Sequence, residues 1–154
     1  MSAPRFVAVG AGRMGRGIAI SFAYAGHRIA LVDLRQRTPE AWQKLREEAL
    51  AEVRGALLGL AKLGAVDEAQ IPDIAARVEM VDAAGAPSAL AAAELVFEGV
   101  PETMEAKRDA FAHINRHCRP DAILTSTTSS ILVTQIAEFV KRPERFLNIH
   151  WSLL

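Results

Sequence analysis

Two spacings of apolar residues alternate along the chain. Short β-rich runs at residues 5–9 and 28–33 enclose a stretch, residues 13–25, in which apolar side chains recur at the spacing of one helix face. Gly26 then supplies a helix stop. Together these segments predict one βαβ unit of about thirty residues.

The alternation continues to the end of the chain. Thr38 and Pro39 form a helix start, a cap followed by proline at the first helical position, and predict a long helix to residue 63. A crossover needs only about a dozen residues, so this connection, with a further helix at 67–76, predicts a projecting helical arm over a ligand. Further strands are predicted at 78–81, 95–100, 122–125 and 146–149, with helices at 87–93, 103–117 and 130–140.

Six strands separated by helices predict an α/β fold. The expected form is a Rossmann-type, doubly wound, mainly parallel sheet of order 3-2-1-4-5-6, with the helical arm between its second and third strands. The length of 154 residues and a hydrophobic share of 51% are those of one domain with a real core.

The charge balance and the single cysteine limit the classes of partner and the cellular compartment that the sequence predicts. Eighteen basic residues balance eighteen acidic ones, which argues against a nucleic acid or an anionic membrane held by bulk charge. No apolar run reaches the ~18 residues of a membrane span, and no signal peptide is expected. The single cysteine, Cys118, excludes an intrachain disulfide and fits a cytoplasmic location.

A glycine motif follows the first strand. Gly10-Ala11-Gly12-Arg13-Met14-Gly15 is a G-x-G-x-x-G that opens a helix, which is the context of a dinucleotide site. Asp33 ends the second strand, where a carboxylate accepts hydrogen bonds from the ribose hydroxyls of NAD. Arg35 and Arg37 lie just beyond and would favour NADP. We predict NAD; the alternative is a structural glycine turn in some other α/β protein.

Three more groups follow the later strands, where open α/β sheets bind ligands. Glu98, Glu102 and Lys107 either face the crevice or form a charged surface pair at a helix start. The hydroxyl residues 125–130 either line the crevice or, through Ser129 or Ser130, cap the next helix. His150 closes the last predicted strand and is either a general base or incidental.

A metal site is the weakest candidate. His113 and His117 lie one helical turn apart with Cys118 adjacent, but no acidic third ligand is evident. We predict no metal site and an inert Cys118 thiol.

Four motifs in order resemble the 3-hydroxyacyl-CoA dehydrogenases. They are the glycine motif continued to Ala19, Phe97-Glu98-Gly99-Val100-Pro101-Glu102 with Lys107, Thr127-Thr128-Ser129-Ser130-Ile131, and Arg142 through His150. The resemblance implies an oxidoreductase of fatty acid metabolism that oxidises a 3-hydroxyacyl thioester with NAD. It implies that His150 takes the hydroxyl proton and that Ser129 contacts both nicotinamide and substrate. It implies cofactor contacts from Gly10, Gly12, Arg13, Met14, Gly15, Asp33, Glu102, Lys107 and Ser129.

The chain also departs from the family. Thr127 replaces the usual asparagine, and a second expected asparagine falls on Leu153. The glutamate that orients the family's histidine, and the helical domain for substrate binding and homodimerisation, would lie beyond Leu154. We therefore expect residues 1–154 to be an NAD-binding domain that binds NAD but turns over poorly alone. Two alternatives remain: a dehydrogenase of 3-hydroxy acids without CoA, and a non-catalytic nucleotide-binding module with an associating apolar tail at 149–154.

Overall fold

The computed structural model describes residues 4–151, and these form a six-stranded parallel sheet. The strand order is 3-2-1-4-5-6, as predicted, and every pairing between neighbouring described strands is parallel. The reversal of strand order lies between β1 and β4, where ligands bind in doubly wound folds. The strands are β1 (Phe6–Val9), β2 (Ile29–Val32), β3 (Val78–Val81), β4 (Leu95–Glu98), β5 (Ile123–Ser126) and β6 (Phe146–Asn148).

Helices cover both faces of the sheet, and each face has its own core cluster. One cluster joins β1 and β2 to α1, α2 and α3, and the other joins the opposite strand faces to α4, α5 and α6. The central strands are therefore buried on both sides, which explains their uninterrupted apolar sequences. The helices are α1 (Arg13–Tyr24), α2 (Pro39–Lys62), α3 (Ile71–Ala75), α4 (Ala86–Ala92), α5 (Met104–His117) and α6 (Val133–Ala137).

The longest part of the predicted arm is the 24-residue helix α2. The Thr38 hydroxyl accepts a hydrogen bond from the Ala41 backbone N–H at 3.3 Å, so the predicted cap is confirmed. A buried stripe of Ala49, Val53 and Leu57 packs α2 onto α1 and α3. The second half of the arm is thus part of the core and does not project freely.

Several boundaries differ from the predictions. The helix expected at 67–76 divides into a 3-10 helix, Glu68–Gln70, and α3. The strand expected at 95–100 ends at Glu98, because the Glu98 side chain accepts a hydrogen bond from Val100 N–H at 2.8 Å and turns the chain. The helix expected at 130–140 is wrong at both ends, since α6 covers only Val133–Ala137. None of the helices within the described residues has the length and apolarity that a membrane span requires.

Candidate active site

The turn between β1 and α1 brings backbone atoms very close together. Gly10 has φ +106°, and a Cβ there would lie 2.7 Å from the Gly99 carbonyl oxygen. A Cβ on Gly15 would lie 1.9 Å from the Gly10 carbonyl oxygen. Gly12 differs, because a Cβ there would meet only open space. Two glycines of the motif therefore pack backbone against backbone, and the third leaves an open surface at the start of α1.

A cavity of about 900 Å³ opens at the carboxyl ends of β1, β2 and β4. Its walls are the glycine turn at residues 10–13, the loop after β2, the loop after β4 at residues 99–101, and one face of α5. Asp109, Ala110 and His113 line it from α5. In the sequence His113 is a candidate only for a metal ligand, and no local signal indicates that α5 forms this wall.

Asp33 follows β2 and lies in the wall of this cavity. Its side chain is only 7% exposed, and the Nε atom of Arg37 donates a hydrogen bond to its Oδ2 atom. The backbone N–H of Arg35 donates to Oδ1 at 3.4 Å. Arg35 and Arg37, which favour NADP in the sequence, thus both donate hydrogen bonds to Asp33, the carboxylate that favours NAD.

These features fit a dinucleotide. Gly12 is the N-cap of α1 and no side chain caps that helix, so the first-turn N–H groups and the helix dipole are available to phosphates. The nearly buried carboxylate of Asp33 lies in the same cavity and suits ribose hydroxyls. The cavity therefore has both groups that a dinucleotide requires, an open helix start for its pyrophosphate and a carboxylate for a ribose.

A buried charge cluster lies at the ends of β4 and β5. Glu98 and Lys107 are both 0% exposed, and the Lys107 ammonium lies 3.0 Å and 3.1 Å from the two Glu98 carboxylate oxygens and 3.1 Å from Glu102. The Ser126 hydroxyl donates to Glu98 at 2.6 Å. The interpretation as a charged surface pair is therefore wrong, because the pair is enclosed between α5 and the sheet.

Glu102 joins this cluster to the loop after β5. Its Oε1 atom accepts hydrogen bonds from the Thr128 hydroxyl, the Ser129 N–H and the Ser130 N–H at 2.5–3.0 Å. Partial burial opposes ionisation of Glu102, but these hydrogen bonds and Lys107 outweigh it and hold the pKa of the carboxyl well below its usual range. The Glu102 carboxylate therefore accepts the free N–H groups of this loop and holds the loop in place.

The serines do not cap a helix. Leu132 precedes α6 without a side-chain cap, and the Ser129 and Ser130 amides are already bound to Glu102. The N-cap interpretation is wrong for this reason. Ser129 instead lies exposed on the loop after the carboxyl end of β5. Its backbone N–H donates a hydrogen bond to Glu102, which anchors the loop.

His150 lies two residues beyond β6 and does not close it as predicted. Its neighbours Ile149 and Trp151 pack inward against the core cluster on the α1 side, and Trp151 contacts the Phe97 and Phe22 rings. His150 is left exposed, and no side chain within residues 4–151 hydrogen-bonds to its imidazole. The departures at 152–154, including Leu153, lie outside the described residues.

The remaining candidates are the Cys118 thiol and, as metal ligands, His113 and His117. Burial raises the pKa of the Cys118 thiol to about 12, so the thiol is inert at neutral pH, as predicted. No cluster of three or more His, Cys, Asp or Glu side chains suited to a metal ion occurs within residues 4–151.

The structure places most of the predicted site residues at the cavity or beside it, and His150 apart from them. Gly10, Gly12, Arg13 and Asp33 line the cavity directly. Glu102, Lys107 and Ser129 form the hydrogen-bonded cluster beside it, with Met14 and Gly15 behind the glycine turn and His150 apart on the last loop. Their assignment as cofactor-binding and catalytic residues stays a prediction.

Sequence reasoning missed two contacts that shape the site. Arg16 donates to the Ala11 carbonyl at 3.0 Å and to Glu52 of α2 at 2.6 Å, which ties the arm to the glycine turn. Arg37 pairs with Asp33. The Arg16–Glu52 contact joins α1 to α2 across 36 residues of sequence, and only the four-residue separation of Asp33 and Arg37 gave any local signal.

Comparison with known proteins assigns the chain to a family. The model of the 3-hydroxyacyl-CoA dehydrogenase NAD-binding domain matches residues 6–153. The chain belongs to this family. Membership supports NAD as the cofactor and agrees with the Rossmann-type sheet and the glycine turn.

Individual relatives agree with this assignment. A probable 3-hydroxybutyryl-CoA dehydrogenase from Bacillus subtilis is 30% identical over 98% of this chain and 49% of its own length. The crystal structure of (S)-3-hydroxybutyryl-CoA dehydrogenase from Ralstonia eutropha superposes with a TM-score of 0.81 at 30% identity, over 97% of this chain and 50% of that one. The chain therefore spans about half the length of these relatives.

One structural relative carries a different name. An NAD⁺-dependent 5-formyl-3-hydroxy-2-methylpyridine 4-carboxylic acid 5-dehydrogenase has a TM-score of 0.75 at 28% identity, over 98% of this chain and 45% of that one. The same nucleotide-binding architecture thus occurs in an enzyme whose name contains no thioester.

Proposed function

We propose that residues 1–154 form the NAD-binding domain of a dehydrogenase that oxidises a 3-hydroxyacyl-CoA thioester to the 3-ketoacyl product. One observation carries the proposal. The open glycine turn, the buried Asp33 carboxylate and the Ser129 loop lie along the same edge of the sheet, outside the carboxyl ends of the strands. The names of the Bacillus and Ralstonia relatives supply the reaction class.

Each group has a definite task in this proposal. The glycine turn and the start of α1 bind pyrophosphate, and Asp33 accepts hydrogen bonds from the ribose. NAD, when bound, accepts the hydride that leaves C3 of the substrate. Ser129, on its anchored loop, orients the substrate oxygen, and His150 takes the hydroxyl proton as general base.

His150 requires support from outside the described residues. A base works best when a third group orients it, and no described side chain does so. We therefore propose that the reaction needs a further substrate-binding segment, which also forms the homodimer. The 154-residue chain alone should bind NAD and transfer hydride poorly. The single, inert Cys118 agrees with a reducing, cytoplasmic setting.

Two other functions have specific support. The likeness to the pyridine-carboxylate dehydrogenase, whose named substrate contains no CoA, supports a substrate without CoA, such as a free 3-hydroxy acid. The exposed and unsupported His150 favours a non-catalytic nucleotide-binding module. Assays that compare free 3-hydroxy acids with their CoA thioesters test the first alternative. The second is supported if no hydride transfer occurs even when a substrate-binding domain is supplied separately.

The direct test is calorimetric titration of the 154-residue chain with NAD and NADH. Saturable binding of one dinucleotide per chain is expected, with slow oxidation of NADH when acetoacetyl-CoA is added. His150→Gln should abolish that oxidation and leave NADH binding unchanged. Absence of any dinucleotide binding by the folded chain would refute the proposal.

A further inference from the structure

The ion pair between Asp33 and Arg37 lies in the part of the cavity that would receive the adenosine ribose. The Asp33 side chain is 7% exposed and the Arg37 side chain 28% exposed, so solvent screens this pair only partly. Both residues line the cavity wall. The sequence pattern treats them as opposing signals for NAD and NADP, but the structure makes them one unit.

The pair leaves room for the ribose. An ionised carboxylate offers about four acceptor positions, two on each oxygen. Arg37 occupies one position on Oδ2, and the backbone N–H of Arg35 occupies one on Oδ1 at 3.4 Å. One position therefore remains on each oxygen for the two ribose hydroxyls. Arg37 holds the carboxylate in place without using up its capacity.

The pair also changes the charge that a 2′-phosphate would meet. An unpaired aspartate here repels the phosphate of NADP, which is how such sites select NAD. Arg37 cancels that charge, and the side chain of Arg35 lines the same cavity without a carboxylate partner among the described residues. Arg16 is not free to contribute in this way, because Glu52 binds it. Asp33, Arg35 and Arg37 together therefore carry a net positive charge, where an unpaired aspartate would carry a negative one.

We propose that Arg37 is a specificity-determining residue of the dinucleotide site, which by pairing with Asp33 lets NADP bind beside NAD with only a weak preference for NAD. This inference rests on the proposed dinucleotide site. It concerns the two binding affinities, so it is tested on the chain alone and does not depend on turnover.

The test is a set of binding titrations of NADH and NADPH to the 154-residue chain, followed by nicotinamide fluorescence. Wild type should bind NADPH within about tenfold of NADH. Arg37→Ala and Arg37→Gln should raise the ratio of the NADPH to the NADH dissociation constant by about tenfold or more, chiefly by weakening NADPH, because both remove the charge. Arg37→Lys keeps the charge and should keep most of the wild-type ratio.

Arg35→Ala is the matched control: it also removes a positive charge from the cavity wall, but it leaves the pair of Asp33 and Arg37 intact, since only the backbone of Arg35 touches Asp33. It should change the ratio less than Arg37→Ala does. A wild type that already excludes NADPH, an unchanged ratio in Arg37→Ala, or an equal effect of Arg35→Ala would overturn the inference while leaving NAD binding intact. Failure of both dinucleotides to bind would overturn the proposed function as well. Thermal unfolding of each variant shows that the fold is retained.

Discussion

Removing the Lys107 ammonium should strongly lower the free energy of unfolding. Its ammonium lies within 3.0–3.1 Å of both Glu98 oxygens and of Glu102, and its side chain has no exposed surface. Lys107→Met keeps an unbranched side chain only one heavy atom shorter, with most of its packing against the core, but removes the positive charge. Glu98 then keeps only the Val100 N–H and the Ser126 hydroxyl as partners.

The magnitude follows from the burial of Glu98. Removing one partner of a buried ion pair costs about 3–5 kcal/mol, because the remaining charge is left without compensation. For a chain of this size each kcal/mol shifts the melting temperature by about 2–4 °C, so Lys107→Met should melt about 6–20 °C below wild type. Adding Glu98→Gln removes the orphaned charge and should restore part of the loss.

Differential scanning calorimetry and urea unfolding measure the effect. Lys44→Met is the control, because Lys44 lies on the surface at 3.9 Å from Glu48, and exposed pairs contribute about 0–1 kcal/mol. If Lys107→Met lost less than about 1 kcal/mol, or if the double variant were no more stable than the single one, the reasoning from uncompensated buried charge would be refuted.

Three further predictions use the same chain. Gly15→Ala should lower the free energy of unfolding in urea by about 3 kcal/mol, since its Cβ would lie 1.9 Å from the Gly10 carbonyl oxygen. The control Gly55→Ala, at an open position within α2, should be neutral or stabilising. Equal losses in the two variants would contradict the packing argument. Because its pKa is lowered in the folded state, the ionised Glu102 carboxylate stabilises the fold at pH values above the ordinary carboxyl pKa, and this stabilisation is lost as the pH falls. The difference in melting temperature between wild type and Glu102→Gln should therefore shrink from pH 7 to pH 3, and a constant difference would argue against this reasoning. The Cys118 thiol, with its pKa near 12, should react with a disulfide reagent at pH 8 at least about a hundredfold more slowly when folded than in guanidinium, and comparable rates would show that it is accessible.

The sequence predicted the structure well wherever a short stretch of backbone by itself requires particular residues. The spacing of Gly10 and Gly15 reflects a tight turn and a close backbone contact, each of which needs a missing Cβ. Gly12 lies between them on an open surface, and the approach of a pyrophosphate there stays a prediction. The strand order followed from alternating apolar periods and from the handedness of crossovers. The start of α2 was readable from Thr38 and Pro39 because a cap is a local interaction.

Errors arose where a distant partner decided the outcome. The serines after β5 look like a helix cap in sequence, but Glu102, on another loop, binds their amides, and α6 starts at Val133. The spacing of Glu98 and Lys107 is equally compatible with a surface pair. Only their enclosure between α5 and the sheet makes the pair a buried one.

The sequence by itself therefore determined the fold class, the glycine turn and the identity of the carboxylate at the end of β2, since each depends on spacing and backbone conformation over short stretches. The tertiary structure decided how charges are partnered. Whether Arg37 opposes or supports Asp33, and whether Lys107 faces solvent or the core, depends on contacts between loops and on burial, because the energy of a charge is set by what surrounds it.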